Sequence, residues 1–287
     1  MSKPIILVTG KNGQLGNELQ LLAKEYTQFE FSFSDVAELD ITNEQKVNDF
    51  FETYKPVACI NAAAYTAVDK AETDKELALK INAEAVGYLA ANCNKIGAKF
   101  VHVSTDYVFD GTATTPYKED HPVSPVNFYG ESKLKGEEEA VSKNPGTVIL
   151  RTSWVYSYFG NNFVKTMLRL MKERESLNVI NDQFGSPTYA ADLASAIMQI
   201  VAAEKFTRGV YHYSNEGVIS WFDFAVAIRD IAGLSCKVNG IDTFGYPTPA
   251  KRPGYSVMSK DKIQSTFGIK LADWKESLQK CIQLLEQ

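Results

Sequence analysis

The sequence of 287 residues predicts an α/β fold, with a doubly wound parallel sheet followed by a smaller C-terminal domain. Short apolar runs alternate with longer helical patterns in the first half of the chain, and a glycine-rich turn directly follows the first run. After about residue 152 turn signals become denser. We therefore expect a sheet domain at 1–152 and a smaller domain at 153–287, with later segments able to return to the sheet.

The strand predictions rest on short runs rich in β-branched and aromatic residues. The first run, Ile5–Thr9, has four apolar residues and a threonine without polar alternation, as expected of a parallel strand buried on both faces. The predicted strands of the first half are Ile5–Thr9, Phe29–Phe33, Val57–Asn61, Phe100–Ser104 and Thr147–Thr152.

Helical patterns separate these strands and continue beyond them. Leu77, Ile81 and Leu89 recur at helical spacing and predict a helix with one face in the core. The alternation of strands and helices predicts right-handed crossovers with helices on both faces of the sheet. The predicted helices are Asn43–Tyr54, Lys75–Ile96, Phe128–Ser142, Phe163–Arg174, Asp192–Ala203, Trp221–Ala232 and Trp274–Leu285.

The composition excludes several classes of protein. Hydrophobic residues make up 45% and charged residues 23%, which is typical of a globular chain. The net charge of −5 gives no electrostatic footprint for nucleic acid. No apolar run approaches the roughly 18 residues of a membrane span or forms the core of a signal peptide. The 4 cysteines show no CxxC spacing. We expect a cytoplasmic protein without nucleic-acid or membrane partners.

The segment Gly10–Gly16 has the features of a phosphate-binding turn. It joins the first strand to a helix, whose N-terminus offers free N–H groups and a positive dipole end. Its G-x-x-G-x-x-G spacing is a variant of the dinucleotide fingerprint, and a turn that binds nothing is the alternative. Asp35, just after the second predicted strand, is placed to accept hydrogen bonds from a ribose diol. The combination predicts a Rossmann-type domain that binds NADH or NADPH. Asp35 favours NADH, whereas Lys11 is placed to neutralise a 2′-phosphate.

Two further segments are candidates for the same site. Asp40 and Ile41 lie near the adenine end, although they equally fit the start of the following helix. The small residues Ala62, Ala63 and Ala64 end a strand and would let a flat cofactor lie close, although a packed strand end is the alternative. For each segment, a purely structural role is therefore the alternative to cofactor binding.

Tyr129 and Lys133 lie four residues apart, on one face of a predicted helix. Reduction of a ketone by hydride requires a proton, and a phenol with an ordinary pKa of about 10 is a poor donor–acceptor at neutral pH. A nearby ammonium stabilises the phenolate and lowers that pKa. By itself this spacing is weak evidence. Thr105 strengthens it, because it ends a strand at the edge of the sheet where ligands bind.

Together these residues resemble the extended short-chain dehydrogenase/reductase superfamily, and within it the dTDP-4-dehydrorhamnose reductase family. The resemblance spans nearly the whole chain, and the last three stretches distinguish this family from the superfamily. The stretches are Thr9–Gly16, Asn61–Asp69, Ser104–Phe109, Tyr129–Lys133, Arg151–Tyr156, Asn181–Thr188 and Pro249–Pro253.

The resemblance implies a role for each matching residue. Tyr129 would protonate O4 of a keto-sugar, with its pKa lowered by Lys133 and the carbonyl held by Thr105. Asp106 and Trp154 would join Thr105 in facing the sugar nucleotide. Arg252 would meet its pyrophosphate. The cofactor-binding residues would be Gly10, Gly13, Gln14, Leu15, Gly16, Asp35, Asp40, Ile41, Ala62, Ala63, Ala64, Tyr65, Thr66, Tyr129 and Lys133.

Two departures refine this expectation. Related sugar-nucleotide 4,6-dehydratases carry an Asp-Glu pair after the threonine, whereas this chain has Asp106-Tyr107 and lacks the base for elimination. Some family members bind Mg²⁺ through glutamates at a dimer contact. Glu18 matches one of these, but Ala191 stands where another is expected, which makes Mg²⁺ binding and that dimer doubtful. We expect no metal site and a monomer or homodimer.

The resulting functional hypothesis is reduction of dTDP-4-dehydro-β-L-rhamnose to dTDP-β-L-rhamnose by NADPH or NADH. One alternative is a sugar-nucleotide 4-epimerase of the same superfamily, which would keep NAD tightly bound and consume none. Another is a non-catalytic regulatory subunit resembling the β-subunit of methionine adenosyltransferase, because fold and site do not prove turnover.

Overall fold

A computed structural model describes residues 3–286. Its strands are β1 (Ile5–Thr9), β2 (Glu30–Ser34), β3 (Ala58–Asn61), β4 (Lys99–Thr105), β5 (Val148–Thr152), β6 (Val155–Tyr156), β7 (Ser176–Ile180), β8 (Phe184–Gly185), β9 (Thr188–Tyr189), β10 (Gly209–Tyr213), β11 (Ile219–Ser220) and β12 (Lys237–Ile241). Its α-helices are α1 (Gln14–Leu22), α2 (Glu44–Tyr54), α3 (Lys75–Leu79), α4 (Ala85–Ile96), α5 (Phe128–Lys143), α6 (Phe163–Glu173), α7 (Ala190–Ala202), α8 (Trp221–Ile231), α9 (Asp261–Phe267) and α10 (Trp274–Leu285).

The central sheet has six strands in the order β10-β5-β4-β3-β1-β2, and all neighbours pair in parallel. The predicted fold class is confirmed. The chain crosses from β1 to β2 on one side and returns to β3 on the other, so the order reverses next to β1. In open α/β sheets, ligands bind in the crevice outside the carboxyl ends of the strands at such a reversal.

Successive residues of the central strands face two different cores, because side chains alternate along a strand. Ile6 and Val8 of β1 lie in the core that α1 and α7 cover, whereas Leu7 lies in the core that α2 and α4 cover. All three are fully buried. This explains why the strand is apolar throughout and fits only a sheet covered on both faces.

Segments from the second half of the chain complete the sheet. β10 pairs with β5, and α7 packs against α1. Neither β10 nor α9 was predicted, since their sequences show no clear alternation or helical stripe. The predicted boundary at residue 152 stays a prediction, although α7 and β10 belong to the core beneath the sheet.

A second core lies among elements from residues 156–282. It is built from α6, α8 and α10 with the parallel pair β7–β12, and includes Met167, Val179, Phe224 and Leu278. These residues come from four separate elements, so no single stretch of sequence marks this core.

Side-chain caps determine where several helices begin. Asn43, Asn127 and Asn162 accept hydrogen bonds from backbone N–H groups in the first turns of α2, α5 and α6. Ser220 and Asp223 form a capping box at the start of α8. Such caps satisfy N–H groups that have no partner within the helix. The cap of α5 is important for the site, because Tyr129 and Lys133 lie just after it.

The predicted helix Lys75–Ile96 contains an irregular segment. A π-helical turn at Lys80–Glu84 separates α3 from α4. Within it, Asn82 accepts a hydrogen bond from the backbone of Tyr65 and donates to Ser132 of α5. The π turn therefore directs the side chain of Asn82 at both the loop after β3 and the helix that carries Tyr129.

Among the described residues, no helix is long and apolar enough to cross a membrane.

Candidate active site

The glycine-rich turn brings the backbone of β1 against the end of β3. Gly10 has φ +72°, and a Cβ there would lie 2.7 Å from Ala63 N. A side chain on Gly16 would overlap the Gly10 carbonyl oxygen. Gly13 is the N-cap of α1 and makes no side-chain cap, which leaves the first N–H groups of the helix free for a ligand. These residues fit the phosphate-binding role of such a turn.

A cavity of about 560 Å³ opens at the carboxyl ends of β1 to β5. This volume lies within the roughly 300–1,000 Å³ usual for ligand pockets. Thirteen of the predicted site residues line it: Gly10, Gly13, Gln14, Leu15, Asp35, Asp40, Ile41, Ala62, Ala63, Ala64, Thr66, Tyr129 and Lys133. The turn, the acid after β2 and the Tyr–Lys pair thus share one cavity, although they come from distant stretches of sequence.

The other predicted residues lie outside this lining. Gly16 packs against the turn, as described above. Tyr65 donates its hydroxyl to Asp74 at 2.8 Å, and Asn82 holds its backbone through hydrogen bonds of 2.8 and 3.0 Å. Thr105, Asp106 and Trp154 are also absent from the lining. The contribution of Tyr65 and Gly16 is therefore to the shape of the cavity wall.

The adenosine end of the cavity contains two carboxylates. Asp35 accepts hydrogen bonds from the backbone N–H of Asn12 at 3.3 Å and of Val36 at 2.9 Å. Asp40 accepts from both the N–H and the hydroxyl of Thr42, and these bonds lower its pKa. The helix cap is Asn43 rather than Asp40, yet Asp40 and Ile41 also line the cavity. Asp40 therefore both shapes the turn before α2 and faces the cavity.

Lys133 is buried one helical turn after Tyr129 on α5. Its side chain donates to the carbonyl oxygen of Val103 at 2.8 Å. Burial lowers the pKa of Lys133 to about 8, and the negative charge of Glu137, one turn further along, opposes this shift. Glu137 is fixed in turn by Arg151 and by the hydroxyl of Ser104, at 2.6 Å in each case. A buried ion pair therefore supports the helix beneath the lysine.

The expected lowering of the Tyr129 pKa by Lys133 is wrong for this structure. Burial raises the pKa of Tyr129 to about 12, while a hydrogen bond with Thr105 acts in the opposite direction. Burial is the main cause and the charge of the neighbouring Asp106 adds to it, while the ammonium of Lys133 is directed at the carbonyl oxygen of Val103. Its ring meets that of Tyr107 edge to face, with 5.5 Å between centroids. The phenol is thus protonated at neutral pH.

Thr105 and Asp106 lie beside Tyr129 at the end of β4. The Thr105 hydroxyl donates to an Asp106 carboxylate oxygen at 3.0 Å. Burial raises the pKa of Asp106 to about 6, against the hydrogen bonds from Ser256 and Thr105. The carboxyl is therefore still ionised at neutral pH. Tyr129, Thr105 and Asp106 form a continuous chain of polar groups at the end of β4.

Trp154 occupies a strained position beyond the end of β5. Its φ is +47°, a left-handed conformation that is uncommon for a bulky residue and typical of functional sites. Its ring stacks on Trp221 with 3.6 Å between centroids. A Cβ on Gly185 would lie 2.6 Å from the indole. Gly185 lies in the family stretch Asn181–Thr188, but neither Gly185 nor Trp221 is a predicted site residue, because their partner Trp154 lies far away in the chain.

An ion pair joins the two halves near Tyr107. Arg252 donates to both carboxylate oxygens of Asp69, one bond measuring 2.8 Å, and Asp69 also accepts from Ala250 N at 3.1 Å. Asn127, the cap of α5, donates to Lys251 O at 2.8 Å. The stretch around Arg252 is thereby fixed to the cofactor half. Asp69 ends the family stretch Asn61–Asp69, but the spacing of the sequence does not predict that Arg252 is its partner.

The loop between β6 and α6 closes the cavity from the second half. Gly160 and Asn161 line it, and Asn162 donates to the side chain of Gln14 at 2.9 Å. The sequence marks this segment only as a turn. Other lining residues that were not predicted are Thr9, Asn12, Ser34, Val36, Leu39, Thr42, Ile81, Val103, Ser104, Thr152, Val155 and Leu193.

The described residues contain no cluster of three or more His, Cys, Asp or Glu side chains arranged to hold a metal ion. Glu18, which matches a family magnesium ligand, is buried and accepts a hydrogen bond from Ser157 at 2.6 Å. Burial raises its pKa. The expectation that the protein has no Mg²⁺ site therefore stays a prediction.

A Tyr–Lys pair beside a glycine-rich turn in a doubly wound sheet is the arrangement of a short-chain dehydrogenase/reductase. The sequence model described as RmlD substrate binding domain matches residues 4–287, and the chain belongs to this family.

Several similar proteins are named dTDP-4-dehydrorhamnose reductase, and the match extends over nearly the whole length of both chains. The dTDP-4-dehydrorhamnose reductase of Aggregatibacter actinomycetemcomitans is 44% identical, over 95% of this chain and 96% of its own. A crystal structure of a Clostridium acetobutylicum dTDP-4-dehydrorhamnose reductase has a TM-score of 0.95 and 45% identity, over 99% of this chain and 100% of its own. The Bacillus anthracis dTDP-4-dehydrorhamnose reductase, solved in complex with NADP, has a TM-score of 0.94 and 39% identity over the same shares.

Proposed function

We propose that this chain reduces the C4 ketone of dTDP-4-dehydro-β-L-rhamnose to give dTDP-β-L-rhamnose, with NADPH or NADH as the reductant. The observation that carries the proposal is that Tyr129 and Lys133 line the same cavity as the glycine-rich turn and Asp35. Membership of the family and the names of its relatives supply the sugar-nucleotide class of substrate. The protein acts in the cytoplasm as a monomer or homodimer.

The residues of the turn fit a dinucleotide. Gly10 lets the turn pack against Ala63, Gly13 leaves the first N–H groups of α1 free for a pyrophosphate, and Asp35 accepts from the adenosine ribose. The small side chains of Ala62 and Ala63 give a flat cofactor access to the strand ends. When bound, the dihydronicotinamide supplies the hydride to C4 of the sugar.

Tyr129 gives the proton that O4 takes up as the carbonyl becomes an alcohol. Its raised pKa keeps this proton in place until charge develops on the oxygen. Thr105 donates a hydrogen bond to the same oxygen, which requires it to turn away from Asp106. Lys133, which lines the same cavity one helical turn away, holds the nicotinamide ribose.

Tyr107 supports reduction rather than dehydration. It stands where dehydratases carry a glutamate, and burial together with the charge of Asp106 raises its pKa well above the ordinary value of a phenol. A group that keeps its proton at neutral pH is a poor base for removing a proton from the sugar. The site therefore lacks the base that elimination of water needs.

Purified protein given authentic keto-sugar tests the proposal directly, when absorbance of the reduced nicotinamide is followed with each coenzyme. We expect oxidation of one coenzyme per sugar reduced. No oxidation above background with either coenzyme would contradict reduction. Tightly bound NAD with no net consumption would favour the epimerase, and co-purification with a synthetase without turnover would favour the regulatory subunit.

A further inference from the structure

Three charged residues meet at the adenosine end of the cavity. Asp35 lines the cavity, whereas Lys11 and Glu38 lie beside it and are not part of the lining. At this point the carboxylate of Asp35 can accept hydrogen bonds from the ribose, whereas the ammonium of Lys11 lies outside the cavity lining. This arrangement bears on whether the ribose carries a 2′-phosphate.

Glu38 connects the other two residues. One of its carboxylate oxygens accepts from Lys11 Nζ at 2.6 Å, and the other accepts from the backbone N–H of Asp35 at 3.0 Å. The hydrogen bond from Lys11 lowers the pKa of Glu38, so the carboxylate stays ionised at neutral pH. Glu38 thus binds the ammonium of Lys11 while supporting the segment that carries Asp35.

Two other cations lie near Asp40. Lys46 and Lys80 both lie close enough to Asp40 to lower its pKa. A 2′-phosphate carries close to two negative charges at neutral pH, and Asp35 repels it. Lys11 is the cation of the glycine-rich turn itself, and it is already paired. A free 2′-hydroxyl, in contrast, finds an acceptor in Asp35.

We propose that Glu38 sets the coenzyme preference of this protein, by engaging Lys11 so that NADH binds more tightly than NADPH. The inference rests on the proposed function only in that the cavity holds a nicotinamide dinucleotide. Glu38 acts through Lys11 and is a positioning residue. Removing its charge releases the ammonium toward a 2′-phosphate.

The test is equilibrium binding, which needs no turnover. NADH and NADPH are titrated into the wild-type protein and Glu38→Gln, and fluorescence of the reduced nicotinamide gives each Kd. The wild type should bind NADH more tightly. In Glu38→Gln the Kd for NADPH should fall roughly two- to fivefold, the size of a partly exposed charge contact, while that for NADH stays unchanged.

Two further variants make the result specific. In Glu38→Gln combined with Lys11→Met the gain in NADPH binding should disappear, since the released ammonium is gone. Glu52→Gln is the matched control, because Glu52 pairs with Lys95 at 3.1 Å on an exposed surface remote from the cavity. It should leave both constants unchanged.

Tighter binding of NADPH than NADH by the wild type would overturn the inference. So would an unchanged ratio of the two constants in Glu38→Gln, or a gain that survives Lys11→Met. Since these measurements contain no sugar, a protein that binds both coenzymes but reduces nothing would contradict the proposed reaction and leave this test intact.

Discussion

The proposed cofactor side and the proposed substrate side of the site are built in different ways. On the cofactor side, Gly10–Gly16 and Ala62–Ala64 are short continuous stretches that contribute most of their residues to one cavity. On the substrate side, Trp154 stacks on Trp221, and Arg252 pairs with Asp69 across the molecule. The residues proposed for the coenzyme lie in local segments, whereas the residues proposed for the sugar nucleotide are held by contacts between distant parts of the chain.

The comparison implies that variants of the two halves affect different kinetic constants. Changes at Tyr129 and Lys133 should lower kcat, because these residues act on the reacting atoms. Changes at Arg252 and Trp221 should raise the KM for the sugar nucleotide and leave coenzyme binding unaltered.

The largest effect is expected for Tyr129→Phe, which removes the proton donor. We expect kcat to fall roughly 10²–10⁴-fold, the usual contribution of a general acid. Steady-state assays with saturating coenzyme measure this. Tyr54→Phe is the control, because Tyr54 is 51% exposed on α2. A full rate in Tyr129→Phe would remove the phenol from the mechanism.

The next largest effect is expected for Arg252→Met, which removes a cation at the substrate side. We expect kcat/KM for the sugar nucleotide to fall about 10–100-fold, as for the loss of a charged hydrogen bond. Arg169→Met, which breaks an exposed pair with Glu173, should change nothing. If Arg252→Met weakened coenzyme binding instead, the division between the halves would be wrong here.

The charge of Lys133 predicts a pH dependence. Burial lowers its pKa from 10.5 to about 8, so the free enzyme should lose the ammonium above that pH. There kcat/KM should fall roughly tenfold per pH unit. The pKa in the unfolded chain is higher, so the contribution of Lys133 to the free energy of unfolding rises with pH between about 8 and 10.5.

Lys133→Arg separates loss of charge from other causes of this decline. Arginine stays protonated throughout the range, so the fall of kcat/KM near pH 8 should disappear even if the rate is lower. The same fall in this variant would assign the titration to another group.

The smallest effect is expected for Trp221→Leu, which removes the ring that stacks on Trp154. We expect the KM for the sugar nucleotide to rise about two- to tenfold, since such a stack contributes roughly 0.5–1.5 kcal/mol. Phe222→Leu on the same helix is the control, because no ring stack involves Phe222 among the described residues. Equal effects of the two changes would argue against a role for the stack.

The difference between local segments and long-range contacts also explains which parts of the fold and the site could be predicted from the sequence. The first five strands and the turn were predictable, because apolar runs and glycine spacing are local signals. The return of β10 to the sheet depends on pairing with β5, which no local pattern encodes. The raised pKa of Tyr129 was not predictable from spacing either, since it depends on burial and on the nearby charge of Asp106.

Transfer of label from deuterated coenzyme tests the central claim most directly. Reduced nicotinamide coenzyme carrying deuterium at the transferred C4 position is incubated with the keto-sugar, and the product is analysed by NMR. Hydride transfer to the ketone predicts one deuterium at C4 of the 6-deoxyhexose for each coenzyme oxidised. A product without deuterium at that carbon, or sugar converted while the coenzyme keeps its label, would contradict the account.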